Sequence, residues 1–219
     1  MKIPKNWSEF NKILPEEVEL TPAVQEFIIE IRRVTQTNFD AILDVGCSNG
    51  RYLILSKKIF EAKELVGIDI IGFKRKKIKF LIGDCHNLPI KNNSFDLVYS
   101  LGLLEHFKKE ERVKILREQT RVLKTEGYFL LLIPNCTIGS LRLIKVKFLD
   151  FFRDWKHFVM DIKNLRNVLR QLGINIVSEK FLGSSLHLGH FMIPIHHYFH
   201  NNQILADDFL IIGKKCDSR

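Results

Sequence analysis

A chain of 219 residues with 46% hydrophobic and 27% charged side chains is long enough to bury one sizeable core, too short for two comfortable ones, and too apolar to stay disordered. Its formal charge of +9 sets up a field that draws anions, nucleic acid and acidic lipid head groups among them, and equally serves as a solubilising surface. Four cysteines, Cys47, Cys85, Cys136 and Cys216, stand apart with no C-x-x-C pair, which argues against a zinc knuckle or a disulfide framework and fits a reducing cytoplasm.

Pro22 to Thr35 carries Val24, Phe27, Ile28 and Ile31 at helical spacing, with Thr21 placed as N-cap and Pro22 at the first position, which predicts a helix within an N-terminal cap of residues 1–40. AILDV at Ala41 to Val45 predicts a strand that stops at a glycine-bearing turn, and Arg51 to Phe60 the helix that follows. The same grammar recurs in ELVGID (64–69), KIKFLIGD (77–84), SFDLVYS (94–100) and GYFLLLIPN (127–135). Glu110 to Leu123 is the clearest intervening helix, with Val113, Leu116, Thr120 and Leu123 on one stripe and Gly127 beyond its end. Strands alternating with helices imply a buried parallel sheet with right-handed crossovers. Only Ile70 to Lys76 join the second strand to the third, which leaves room for a truncated helix; the basic run GFKRKK there reads as a solvated loop, with a phosphate or nucleic-acid contact as the alternative.

Ile138 to Phe158 is both apolar and basic, with Leu141, Ile144, Phe148 and Phe152 interleaved with Arg142, Lys145, Lys147 and Arg153. Residues 136–160 are read as a lid-like insertion, with a membrane-surface helix as the alternative. Asp161 to Leu172 predicts a helix ended by Gly173, INIVSEK a strand, and DFLIIGKK the last strand. Between those strands residues 183–206 are His-rich, with His187, His190, His196, His197 and His200. Their spacing matches no zinc signature and no acid lies among them, so they read as a surface loop or pocket wall and no metal is assigned. The opening MKIPKNWSEF lacks a signal-peptide core, and the longest apolar run, Phe129 to Ile133, is far too short to cross a bilayer, so a soluble chain without integral membrane association is expected.

The chemistry concentrates at three strand ends. In ILDVGCSNGRYL, Asp44 closes a strand, and Gly46 and Gly50 allow the backbone turns and close approach that a ligand lying on the main chain needs. Asp69 ends the next strand, from which a carboxylate can accept hydrogen bonds from both ribose hydroxyls, and Asp84 closes the third. Three acids at the carboxyl edge of an open α/β sheet stand where such sheets bind ligands.

These segments resemble the class I S-adenosylmethionine-dependent methyltransferases, and within them the methyltransferase-11, or ubiquinone-biosynthesis-like, group. The resemblance spans Ala41 to Asn135 through LDVGCSNG, LVGIDI, GDCHNLPIKNNSFDLVYSLGLLEHF and RVLKTEGYFLLLIPN. It implies a Rossmann-like α/β fold: one domain over residues 1–219 with a seven-stranded, mostly parallel sheet, helices on both faces and an antiparallel C-terminal strand. It also implies S-adenosylmethionine as cofactor, with Asp44, Gly46, Cys47, Ser48 and Gly50 toward the methionine moiety, Asp69 with Ile70 at the ribose, Asp84 and Cys85 beside the adenine, and Ser100 and Leu101 flanking the sulfonium. Ser48 stands where the family's turn has its second glycine, a departure that counts against affinity because serine resists positive φ.

Methyl transfer is displacement at an activated carbon, so positioning and desolvation supply much of the catalysis and a general base is optional. His106 and His157 are the candidates for one. A small or lipid-like acceptor is the leading reading, with RNA as its rival and a non-catalytic cofactor-binding scaffold as the alternative from another class. The turn lacks the G-x-G-x-x-G of a dinucleotide oxidoreductase, the cysteines do not cluster for an iron–sulfur enzyme, and SLGLL replaces the N-P-P-Y type turn of exocyclic-nitrogen methylation.

Overall fold

A computed structural model describes residues 6, 9, 14–72, 78–135, 147, 157–183 and 208–217. The basic residues 73–77, nearly all of the 136–160 insertion and the histidines of 184–206 lie outside them.

Seven strands form one sheet: β1 (Asn38–Val45), β2 (Glu61–Asp69), β3 (Lys79–Ile82), β4 (Phe95–Leu101), β5 (Leu123–Pro134), β6 (Ile174–Leu182) and β7 (Asp208–Lys215). Their order is β3-β2-β1-β4-β5-β7-β6. Neighbours run parallel from β3 to β5, and β7 is antiparallel to both β5 and β6. The expected Rossmann-like sheet with an antiparallel C-terminal strand is therefore present. Its order reverses at the β1–β4 junction, which opens a crevice at the carboxyl ends of those two strands.

Helices α1 (Pro22–Val34) and α2 (Arg51–Ile59) cover one face, where Phe27, Ile31, Leu53 and Ile59 meet Ile42, Leu97, Leu130, Leu210 and Ile212. Helices α3 (Lys109–Val122) and α4 (Ile162–Gln171) cover the other, where Ile115, Leu116, Leu165 and Leu169 meet Leu43, Val98, Phe129, Leu131 and Ile211. Successive strand residues serve opposite layers because side chains alternate along a strand. Burying both faces explains why the central strands read as continuous apolar runs. Each fully buried Leu or Phe contributes roughly 1.5–3 kcal/mol. Among the described residues no helix is long and apolar enough to cross a membrane.

Of the strand boundaries that differ from expectation, two bear on the site. β5 begins at Leu123, directly where α3 ends, because Lys124 to Glu126 bulge before Gly127; a Cβ at Gly127 would lie 2.7 Å from Leu123 Cδ1 and 2.8 Å from the Lys124 carbonyl. β3 stops at Ile82, short of Asp84, which leaves the ladder to bridge Asn87.

Candidate active site at the carboxyl edge

The turn after β1 is anchored by the backbone. The N–H groups of Gly46 and Cys47 both donate to the Ile68 carbonyl of β2, at 2.9 and 3.2 Å, and the Gly50 N–H closes onto the Cys47 carbonyl at 2.8 Å. Gly46 and Gly50 sit at φ +76° and +74°, and a Cβ at Gly46 would fall 2.7 Å from Leu103 Cδ1. Ser48 also adopts positive φ, +50°, and its N–H donates to Asp69 Oδ2 at 2.8 Å. The serine thus takes the conformation expected of the missing glycine. Asp69 Oδ1 accepts the Ile71 N–H at 3.1 Å, so one carboxylate ties the turn to the end of β2 while each oxygen keeps a second lone pair. Ile70 beside it is 64% exposed. Buried Asn49 braces the turn from behind: its Oδ1 accepts the Arg51 N–H and its amide donates to the Pro15 carbonyl, both at 3.1 Å.

Asp44 lies inside the sheet edge, 2% exposed. Burial, and then the charge of Asp69, hold its carboxyl well above the usual range, while a hydrogen bond from the Tyr99 hydroxyl opposes the shift. Tyr99 in turn accepts from Ser56 Oγ at 3.0 Å. Burial first, then Asp44 and Asp69, push the Cys47 thiol far up, which makes it an inert wall.

Asp84 is exposed and turned onto its neighbour. Its Oδ1 accepts the His86 N–H at 2.9 Å and lies 2.7 Å from His86 Nδ1, contacts that lower its pKa. Of the three acids, Asp44 and Asp69 feel each other directly, and the charge of Asp69 reaches Cys85. Asp84, Cys85 and His86 bring three metal-type donors within 4.8 Å, and burial and then Asp84 push the Cys85 thiol up to about 12. At the end of β4, Ser100 is buried with an Oγ that has no hydrogen-bond partner among the described residues, and half-buried Leu101 closes the strand.

The two histidines lie together. The His106 and His157 rings are 4.8 Å apart, and His106 Nε2 is 3.6 Å from Glu105 Oε1, a carboxylate 2% exposed. The Phe158 N–H donates to the Glu105 carbonyl at 2.7 Å. Buried Arg112 of α3 completes the clamp, donating to the carbonyls of Leu104 (3.0 Å), Val159 (3.0 Å) and Phe158 (3.2 Å). Sequence reasoning missed Glu105, Arg112, Tyr99 and Asn49. Arg112 looks like an ordinary helix-surface residue in KEERVKILREQT, since its partners lie 46 and 47 residues downstream.

Residues 43–131, which carry this turn, both of its acids and the end of β4, match the family described as a methyltransferase domain. That match covers under half of the chain. A human protein named Probable tRNA methyltransferase 9B is 28% identical over 116 residues, which are 50% of this chain and 24% of that protein. The demethylmenaquinone methyltransferase of Thermotoga maritima is 29% identical over 140 residues, 60% of this chain and 58% of that one. A S-adenosylmethionine-dependent methyltransferase of Archaeoglobus fulgidus superposes with a TM-score of 0.65 at 21% identity, over 87% of this chain and 94% of that one. The chain thus spans about a quarter of the human relative's length and somewhat over half of the Thermotoga protein's. The Archaeoglobus protein is named for S-adenosylmethionine; in the turn here a Cβ at Gly46 would meet Leu103, and Asp69 retains lone pairs for hydroxyl donors.

Proposed function

We propose that this chain transfers the methyl group of S-adenosylmethionine to a small or lipid-like molecule. The observation that carries the reading is the Asp69 carboxylate at the end of β2, bonded to the glycine turn yet with acceptor capacity to spare. In this reading Asp69 holds the ribose with Ile70 beside it, Asp84 and Cys85 border the adenine, Asp44 and residues 46–50 face the methionine moiety, and Ser100 and Leu101 flank the sulfonium. The bound cofactor supplies an activated methyl carbon. The chain's own part is to orient the acceptor against that carbon and keep water away. His106 and His157 are the candidate bases for an acceptor that carries a proton.

A cavity of about 250 Å³ that includes Arg51, the residue after the turn, supports a compact acceptor, with apolar walls from Val18, Val24, Phe27, Leu132 and Leu182 and polar ones from Glu19, Thr21 and Asp208. The Thermotoga relative, named for a quinone-type acceptor, also matches a longer stretch of this chain than the human tRNA methyltransferase does. An RNA acceptor is the second reading, favoured by the formal charge of +9 and by that human relative's name.

Two assays decide. Tritiated methyl from the cofactor is offered to a demethylmenaquinol and to bulk tRNA, and the quinol is expected to take the label. Retention of tRNA on filters, falling steeply with salt, together with labelled tRNA would replace this reading with the second one. Failure of the chain to bind S-adenosylhomocysteine in a calorimeter would end both.

A further inference from the structure

The bonds around Arg112 converge on one short piece of backbone. The 3₁₀ turn Leu104–His106 lies just beyond β4; its Leu104 carbonyl accepts from Arg112 Nε at 3.0 Å, and its Glu105 carbonyl accepts the Phe158 N–H at 2.7 Å. The N–H groups of His106 and Phe107 close back onto the carbonyls of Leu103 and Leu104, both at 3.2 Å. A turn tied in this way holds the side chains it carries. The bond to Phe158 also brings the preceding residue, His157, against the His106 ring, at 4.8 Å between centroids.

What the turn holds is a carboxylate beside two imidazoles. Glu105 is 2% exposed, and a Cβ at Gly102, the residue after β4, would lie 3.4 Å from its Oε1, so the carboxylate sits at the strand end that carries Ser100 and Leu101. A carboxylate taken out of water is costly unless a positive charge answers it. His106, its side chain 11% exposed, presents Nε2 to Glu105 Oε1 at 3.6 Å, an ion-pair distance once the ring is charged. The other charged or titratable groups about the pair are His157, 7% exposed, Lys147, which donates to the His157 carbonyl, and Arg112, which donates to the carbonyls of Leu104, Phe158 and Val159. An imidazole that faces a carboxylate through Nε2 keeps its one neutral-form proton there and its lone pair on Nδ1. We propose that Glu105 is the positioning residue of His106: it fixes that tautomer and stabilises the imidazolium that forms when His106 acts as base. As the acceptor gains the methyl, the electrons of the breaking C–S bond stay on the cofactor's sulfur, and the proton that the acceptor sheds passes to His106 Nδ1. The inference rests on the methyltransferase reading and chooses between its two candidate bases.

Nitrogen NMR of the histidine rings in the full chain, loaded with S-adenosylhomocysteine, reads the tautomer directly, and His106→Gln assigns the signal. The native His106 ring is expected to hold its neutral-form proton on Nε2. Glu105→Gln keeps the shape and removes the charge; it should weaken the hold of the ring on its second proton roughly tenfold, with Glu105→Asp in between. Transfer is then followed on whichever of demethylmenaquinol and bulk tRNA takes label from the native chain. Glu105→Gln should lower kcat roughly tenfold to a hundredfold while KM and the affinity for S-adenosylhomocysteine stay within about twofold, and Glu105→Asp should recover part of the loss. A native ring protonated on Nδ1, a titration that Glu105→Gln does not move, or an unchanged kcat overturns the proposal. Joint loss of kcat, KM and cofactor affinity overturns it too, by making Glu105 a mere brace of the turn. A native chain that binds no S-adenosylhomocysteine or labels neither acceptor sinks the reading beneath this one instead, a result told apart by ring signals that still behave as expected.

Discussion

The two sides of the cleft are built in different ways. The turn after β1 is held by bonds to the adjacent strand: Gly46 and Cys47 on the Ile68 carbonyl, Ser48 on the Asp69 carboxylate. The loop after β4 is held from a distance, by a buried arginine and a backbone bond that reach residues 158 and 159. The first is a local device of backbone N–H groups, one carbonyl and one carboxylate on neighbouring strands. The second is a clamp that fixes where residues 158 and 159 meet the core, and Arg112 is spent on that task.

The largest effect that would test this contrast lies in the clamp. Arg112→Met keeps the apolar stem and removes the donors from three carbonyls, which should cost about 3 kcal/mol at about 1 kcal/mol per lost bond. Urea unfolding should show a clearly lower midpoint, while the folded variant keeps its affinity for S-adenosylhomocysteine within about threefold. The opposite pattern belongs to the turn. Asp69→Ala should weaken that ligand by roughly 1.5–3 kcal/mol through lost charge-assisted bonds and shift the unfolding midpoint far less. Should Asp69→Ala destabilise the fold as much as Arg112→Met, the two sides are not different in kind and the distinction fails.

The same contrast explains what could be read in the sequence. The order of strands, their alternation with helices and the positions of Asp44, Asp69 and Gly46 were legible because each depends on a short window: an apolar run, a glycine, an acid where the run stops. The strand DFLIIGKK was placed residue for residue as Asp208–Lys215. The window failed at β5, where a bulge lets the strand begin at Leu123 within what reads as a helix. It failed again at the clamp, since nothing local marks Glu105 as a buried carboxylate or Arg112 as a core residue. His106 and His157 could be named separately, but their contact at 4.8 Å is a product of tertiary structure. Ser48 taught a different lesson: a residue that resists positive φ holds it here, with its N–H bonded to a carboxylate of the next strand.

The smallest effect concerns the point where the turn meets the core. Burial and the charge of Asp69 raise the pKa of Asp44 in the folded chain above its ordinary 3.8, so folding favours the protonated form. The contribution of Asp44 to stability is therefore complete below its unfolded value and drains away as pH climbs through the raised folded one. Native protein without cofactor should lose urea resistance over that interval, and Asp44→Asn, which does not titrate, should lack that component, a difference of about 1 kcal/mol by the ordinary size of point substitutions. Tyr99→Phe should act in the opposite sense, because the Tyr99 hydroxyl is the bond that holds the Asp44 shift down; without it the loss with rising pH becomes larger. If the two variants change the pH slope in the same direction, Asp44 is not the group that titrates.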